Sequence, residues 1–533
     1  MNEPESFSSW ADKVAEEVSQ RSKKSYVCEG MWTPSGFFHI GNARPEIFTP
    51  YAVAKALESS GLNVRQNLVI DDFDAIKKIP AGLPPLDEKQ FLGVPCALAP
   101  SPVKGFKSWS DYFSSNIREA VPHYGVKLHF LSAYQLYREG KFNDIISFSL
   151  DHAKEIVAVW SRVSGADKDE RFFPLQVFCD SCRKIYYTNV TSWNGKTVSY
   201  TCTACNHSGK KSPFNGNAKL HWRVHWAAHW IALGVDFESG GKDHFSKGSS
   251  VDVGRALMRE VFHAEPPVGV PTEFIQKKGK KISGSVGNAA DLKQWLEVAE
   301  PELFRFMNFS YKPNSVVELD LGDNSFLLLY NRFEEAERIY YGVETARDEK
   351  LGQKIKREFE LSAIESLPNK MPPQLPYAFA SFVAQLYDPK TRSKEAVAVL
   401  QETGHLPPKL SAKDLQRVLQ KLSRARHWIE HYAPEEFKMS FLETVSPEIR
   451  SQLSLQALAV FPEIAAAVQK QKTAEAIQTA VFELGKKNNI PLPELFQSLY
   501  FALIGKPRGP KIGSLVIALG KEKVAKRLKE LAG

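Results

Sequence analysis

Residues 26–42 read YVCEGMWTPSGFFHIGN, and the reading of this stretch decides the fold. The run YVCEGMW is apolar enough for a buried strand, and Pro34-Ser35-Gly36 forms a turn after it. From about Asn42 to Ser59, Ile47, Tyr51, Ala54 and Leu57 recur at helical spacing, and Gly61 can end that helix. VRQNLVI at 64–70 then reads as a second buried strand, finishing at Asp71-Asp72. Strand, helix and strand in that order make a parallel βαβ unit, whose strand ends deliver side chains to a ligand crevice.

Working outward, KLHFLSAYQLYREGKF at 127–142 repeats the strand-then-helix pattern. A segment at about 172–215 interrupts it with two Cys-x-x-Cys pairs, Cys179/Cys182 and Cys202/Cys205, which have 19 residues between them. Alternation resumes with HWAAHWIALGVDFESGGKDH and runs to Gly287. Beyond about residue 300 amphipathic helical runs replace it, among them DLQRVLQKLSRARHWIEHY, with proline-rich boundaries at 367–376 and 406–408. The expectation is a doubly wound α/β half with a cysteine-rich insertion, followed by an all-α half.

At 533 residues the chain is too long for a single core. No apolar run reaches the roughly 18–20 residues that span a bilayer. The polar start MNEPESFSSW carries no basic segment leading into an apolar one, so a cytoplasmic product is expected rather than a secreted or membrane protein. From Lys506 to Gly533, eight Lys and Arg stand against two Asp and Glu, a basic surface suited to a polyanion. In such a chain two Cys-x-x-Cys pairs point to metal rather than disulfides, and four thiolates at this spacing suit a structural, tetrahedral zinc in a small ribbon.

Two further segments carry chemistry. Thr33-Pro34-Ser35-Gly36-Phe37-Phe38-His39-Ile40-Gly41-Asn42 sits where a strand gives way to a helix N-terminus, which favours phosphate. There Gly41 admits a nucleotide close to the backbone, and His39 can donate to phosphate oxygens. About 240 residues later, Lys277-Lys278-Gly279-Lys280-Lys281-Ile282-Ser283-Gly284-Ser285-Val286-Gly287-Asn288 places lysines and hydroxyls on a glycine-rich loop, a mobile clamp for a leaving pyrophosphate.

The pair, in this order on an α/β background, resembles the HIGH-like and KMSKS-like ATP motifs of class I aminoacyl-tRNA synthetases. EGMWTPSGFFHIGNARPE, DDFDAIKKIP, FLGVPCALAPSP, KLHWRVHWAAHWIALGVDFESGGKDH, REVFHAEPPVGVPTEFI and KPNSVVELDLGDNSFLLLYNRFEEAER narrow the resemblance to class I lysyl-tRNA synthetases over about residues 25–345. FALIGKPRGPKIGSLVIALG also resembles the end of glutamyl-tRNA synthetases.

The resemblance implies a Rossmann-type catalytic domain with a zinc-ribbon insertion and an all-α anticodon-binding domain. Its expected boundaries are an N-terminal helical extension at 1–24, catalytic halves at 25–171 and 216–300, the ribbon at 172–215, a helical connection at 301–370 and the anticodon domain at 371–533. It implies lysine, Mg-ATP and tRNA(Lys) as substrates, a lysyl-adenylate intermediate, a structural Zn2+ and a monomeric state. His39 and Lys281 become the catalytic groups. Pro34, Ser35, Gly36, Ile40, Gly41 and Asn42 join His39 around ATP, and Lys280, Ile282, Ser283, Gly284 and Ser285 join Lys281. Thr33, Trp222 and His244 match positions lining the lysine site, with Glu29 and Asp243 as the nearest carboxylates for its ammonium.

Four positions depart from the family pattern. Met31 stands for a small Gly, Thr272 for Tyr, His225 for an acid, and Val286 for a lysine of the second motif. They leave open a ligase with another amino acid or acceptor, and a non-catalytic tRNA-binding paralogue.

Overall fold

The computed structural model describes residues 9–167, 169, 171–282 and 290–532. The expectations for Ser283, Gly284, Ser285 and Val286 fall on residues outside these ranges. Two compact units are present, one built from residues 1–295, 304–319 and 346–365, the other from 296–303, 320–345 and 366–533.

The first unit is organised by a five-stranded parallel sheet. Its spatial order is Val268–Thr272, Phe237–Gly241, Tyr26–Trp32, Val64–Ile70 and His129–Ser132. This is the doubly wound order, and the chain reverses direction across the sheet between Tyr26–Trp32 and Phe237–Gly241. Both strands are almost wholly buried, their polar members Glu29, Glu238 and Ser239 included. Ile47, Tyr51, Ala54 and Leu57 are all buried, as their spacing requires.

The helix after the first strand starts two residues earlier than its apolar spacing suggests. It runs Ile40–Ala43, passes through a π-helical turn at Arg44–Phe48, and continues as Thr49–Ser59. Such π-turns recur at functional sites. Here the buried Arg44 guanidinium donates to the carbonyl oxygens of Glu273, Ser315 and Lys312 at 2.8–3.0 Å. Gly30 is a packing requirement, because a Cβ there would lie 2.0 Å from the Glu46 carbonyl oxygen.

A short antiparallel pair, Leu175–Val177 with Ala218–Leu220, closes the neck of the cysteine-rich insertion. Beyond it, Thr188–Trp193, Val198–Cys202 and Ser208–Lys211 form a three-stranded antiparallel ribbon.

The second unit is helical among its described residues. Ser411, Ser454 and Thr473 cap three of its helices, each side chain accepting a backbone N–H. Its core contains Tyr330 stacked on Tyr377 at 3.9 Å, with Phe326 and Trp428 packed around them. No helix among the described residues is long and apolar enough to cross a membrane.

Candidate active site

The site forms at the carboxyl ends of the strands, beside the reversal point of the sheet. Thr33 and Pro34 follow the first strand directly. The Pro34 carbonyl oxygen accepts from the Trp109 indole at 2.8 Å, which pins the turn. His39 is the N-cap of the helix beginning at Ile40. Its Nδ1 accepts from Gly41 N–H at 3.0 Å, while Asn42 Oδ1 accepts from His39 N–H at 3.3 Å. This reciprocal box gives Asn42 a structural task and fixes the imidazole tautomer. With Nδ1 accepting, the proton of the neutral ring sits on Nε2. Burial and, secondarily, the charge of Lys281 push the His39 pKa down to about 4, so the ring is neutral at pH 7. Gly41 is dictated by the same geometry, since a Cβ there would lie 2.9 Å from the His39 ring. Gly36 is under no such constraint, its nearest neighbour being a Pro80 carbon at 3.6 Å.

The basic loop reaches this turn from both ends. Strands Ile275–Lys277 and Lys280–Lys281 form a hairpin whose two turn residues, Lys278 and Gly279, both have positive φ, at 51° and 70°. Ile282 is buried, with its Cγ1 3.1 Å from where a Gly41 Cβ would stand. At the far end, the Ala290 carbonyl oxygen accepts from Ile40 N–H at 3.0 Å. The Lys281 ammonium lies 3.5 Å over the Phe274 ring and 3.4 Å from Asp243. Lys280 is exposed on the same hairpin.

Trp222 opens the helix Trp222–Leu233, and His244 lies in the turn after Phe237–Gly241. Their rings lie 6.2 Å apart, and Trp226 contacts both, at 4.8 Å from Trp222 and 5.0 Å from His244. The two carboxylates nearest in sequence are committed elsewhere. Asp243 faces Lys281, and Glu29 is fully buried, accepting from Asn67 at 3.0 Å.

Below this surface lies a buried polar cluster that sequence reasoning did not find. Glu238 accepts from the indoles of Trp226, at 2.7 Å, and Trp230. His229 sits between carboxylates, 3.0 Å from Glu29 and 3.5 Å from Glu238. Burial works against its charged form, but the two carboxylates outweigh burial and raise its pKa to about 10. Lys219 meets both oxygens of Asp71 at 2.8 Å, with each side chain essentially inaccessible. Asp72 accepts from Ser132 and from Tyr134 N–H, yet burial lifts its carboxyl to about 6. The available signal was two acids, Asp236 and Glu238, in the segment GVDFESGG, following histidines spaced i, i+4 at 225 and 229.

Three of the departing residues are also buried. Met31 joins the hydrophobic cluster with Val69 and Phe73. Thr272 Oγ1 lies 3.5 Å from Thr49 Oγ1. His225 Nδ1 meets the Tyr137 hydroxyl at 2.9 Å, and burial with the nearby Lys219 charge holds the ring neutral.

In the ribbon, the four cysteine sulfurs all lie within 4.8 Å of one another, with Cys179–Cys205 at 3.7 Å and Cys182–Cys202 at 3.6 Å. Four sulfurs about 2.3 Å from one zinc would be separated by about 3.8 Å, and these two pairs already stand at that separation, so the set is compatible with that ion. Arg183 and Asn206, each directly after a Cys-x-x-Cys pair, take positive φ values of 61° and 56° that fold the chain back around the thiolates.

Comparison with known proteins follows the same lines. The family profile "tRNA synthetases class I (K)" matches residues 8–365, and "Anticodon binding domain" matches 433–532. A lysine–tRNA ligase of Pyrococcus furiosus is 34% identical, covering 98% of this chain and 99% of its own. That of Thermococcus kodakarensis is 35% identical with the same coverage. Among solved structures, a glutamate tRNA ligase from Elizabethkingia meningosepticum aligns at 13% identity and TM-score 0.41, covering 96% of this chain and 99% of that one. With the class I (K) match spanning residues 8–365 and relatives aligned from end to end, the chain belongs to the class I lysine–tRNA synthetase family.

Proposed function

We propose that the chain attaches L-lysine to tRNA(Lys), using ATP and a lysyl-adenylate intermediate. The observation that carries this reading is the meeting of the two ends of the basic loop, Ile282 and Ala290, with Gly41 and Ile40 beside His39, in a chain aligned throughout with lysine–tRNA ligases. The lysine carboxylate attacks the α-phosphorus of ATP and pyrophosphate leaves. A tRNA 2′-hydroxyl then displaces AMP from the adenylate. The neutral His39 ring offers its Nε2–H to phosphate oxygens as charge shifts onto them. Gly41, Ile40 and Asn42 shape the helix N-terminus, with Pro34, Ser35 and Gly36 as its approach.

Lys281 and Lys280 supply positive charge to the departing pyrophosphate, together with Ser283, Gly284 and Ser285. Thr33, Trp222 and His244 hold the substrate lysine, its methylene stem lying along the Trp222 ring and its ammonium interacting with the ring face. Mg2+ accompanies ATP and would neutralise phosphate charge. Zn2+ on Cys179, Cys182, Cys202 and Cys205 would cross-link the ribbon. The reading includes a cytosolic, monomeric enzyme.

A second reading, activation of a different amino acid, draws on Met31, His225 and Thr272, all buried in the same half of the molecule as the pocket. One experiment separates the two: aminoacylation of total tRNA by each amino acid in turn, with Mg-ATP. Charging by lysine alone is the expected result. Charging by another amino acid overturns the lysine assignment, and charging by none points to a tRNA-binding paralogue.

A further inference from the structure

Trp222 and His244, the two rings assigned to the substrate lysine, share a third ring behind them. Both keep some exposure, whereas Trp226 is only 4% exposed. Trp226 meets Trp222 at 4.8 Å and His244 at 5.0 Å, edge-on in each case. Its Cζ2 also lies 3.9 Å from where a Cβ on Gly240 would stand, so the ring rests on the strand Phe237–Gly241. A wall of two rings leaning on a third is only as well placed as the third.

What holds Trp226 is Glu238. Trp226 and Trp230 stand one turn apart on the helix Trp222–Leu233. Both indole N–H groups donate to the same oxygen, Glu238 Oε2, that of Trp226 at 2.7 Å. An indole has a single donor, so within this buried cluster the carboxylate fixes the rotation of both rings. The other oxygen of Glu238 faces His229 at 3.5 Å, and His229 in turn lies 3.0 Å from Glu29. The imidazole ring thus balances the carboxylate without taking the oxygen that the indoles use. The two indoles differ in what they touch. Trp230 packs against the helix Ser250–Glu260, its ring 3.2 Å from where a Gly254 Cβ would stand. It makes no ring contact with Trp222 or His244 among the described residues.

We propose that Glu238 is a positioning residue for the amino acid: by anchoring the Trp226 indole it sets where Trp222 and His244 stand, and through them the affinity for lysine. The proposal rests on the reading that those two rings hold the substrate. Glu238, 3% exposed, lies behind the wall rather than in it. Its removal leaves a buried indole N–H without an acceptor, and the ring turns or shifts to find one. A displacement of about 1 Å in a substrate-holding group can cost about 10²-fold. No hydrogen bond or ring contact joins Trp226 to the turn His39–Asn42 among the described residues, so the effect should be confined to lysine and spare ATP.

The test measures the KM for lysine, the KM for ATP and the urea midpoint in variants of the full chain. Glu238→Leu should raise the lysine KM about ten- to a hundredfold, with the ATP KM within about twofold of wild type. Where Glu238→Leu does not fold, Glu238→Asp replaces it, since the shorter side chain keeps the charge but draws the oxygen away from the indoles. Trp226→Phe, which keeps a ring but deletes the N–H, should act in the same direction. Combined with the Glu238 variant it should be no worse than the stronger single change, because both break one link. Glu238→Gln should bring the lysine KM back to within about threefold of wild type, its amide oxygen still accepting both indoles. Trp230→Phe deletes the other N–H on the same oxygen and should lower the urea midpoint while leaving the lysine KM unmoved. A role in folding alone would lower the midpoints and leave the lysine KM unmoved in every variant, which overturns the proposal. So do Glu238 and Trp226 effects that multiply in the double variant. A wild-type chain that charges no tRNA with lysine ends the underlying reading and the proposal with it. Lysine charging by wild type, with the lysine KM unmoved in the Glu238 variant, ends the proposal alone.

Discussion

The turn that presents His39 and the cluster around Glu238 and Lys219 are both polar and belong to the first unit, but they are assembled differently. At His39 itself, the polar contacts join residues two or three apart: Gly41 N–H to His39, and His39 N–H to Asn42. In the cluster, the partners are distant in sequence, Lys219 with Asp71 across 148 residues and His229 with Glu29 across the whole first half of the unit. A local contact can be lost at the cost of a helix cap. A buried ion pair cannot lose one member without leaving the other charge unpaired in a medium of low polarity. The turn therefore bears on rate, and the cluster on whether the first unit folds.

The largest expected effect is on the cluster. Lys219→Met strands the Asp71 carboxylate and should cost the first unit about 3–5 kcal/mol, read as a lower urea midpoint. The double variant Lys219→Met/Asp71→Leu should recover most of that loss, because no charge is left unpaired. A single variant within about 1 kcal/mol of wild type would mean that the pair is not desolvated, and the contrast with the turn would collapse.

The turn should show the reverse pattern. His39→Ala removes a donor aimed at developing phosphate charge and should slow adenylate formation about 10²–10³-fold, followed by pyrophosphate exchange with tRNA present. Its stability should fall by only about 1 kcal/mol, the value of a helix cap. A large loss of stability with little change in rate would place His39 in the structural class instead.

This contrast also explains what could be read in the sequence. The sheet was legible because YVCEGMW and VRQNLVI are short apolar runs flanking a helix of clear periodicity, and the cysteine spacing was legible because it repeats within a few residues. The turn could be located for the same reason, although its helix starts at Ile40, earlier than apolar periodicity shows, since His39 and Asn42 cap it through polar atoms. Glu238 and His229 could be noticed as polar residues in buried elements, but nothing local indicates that they face each other. Lys219 lies in the neck strand Ala218–Leu220, paired with Leu175–Val177, and no local pattern indicates that it meets Asp71 148 residues away. The stacking of His405 on Phe379 was equally hidden, because His405 lies in a bend beyond the helix Ser393–Glu402 and Phe379 in the helix Tyr377–Leu386.

The smallest effect expected is a missing one, in the pH profile of the turn. Free histidine titrates near 6.5, whereas burial and Lys281 hold His39 at about 4 in the folded chain. Between those values the unfolded chain binds a proton at this position that the folded chain does not. Stability contributed here is thus complete above about pH 6.5 and declines as the pH falls towards 4. Activity follows a different course. Because the Nε2–H donor belongs to the neutral ring, adenylate formation per folded molecule should show no His39 step between about pH 5 and 7.5. The Lys281→Met variant removes the secondary cause of the depression and should move the acid limb upward, by less than burial contributes. A step near pH 6.5 in the wild-type profile that disappears in His39→Gln would show that the ring titrates freely, and the turn would then lack the fixed tautomer on which its role depends.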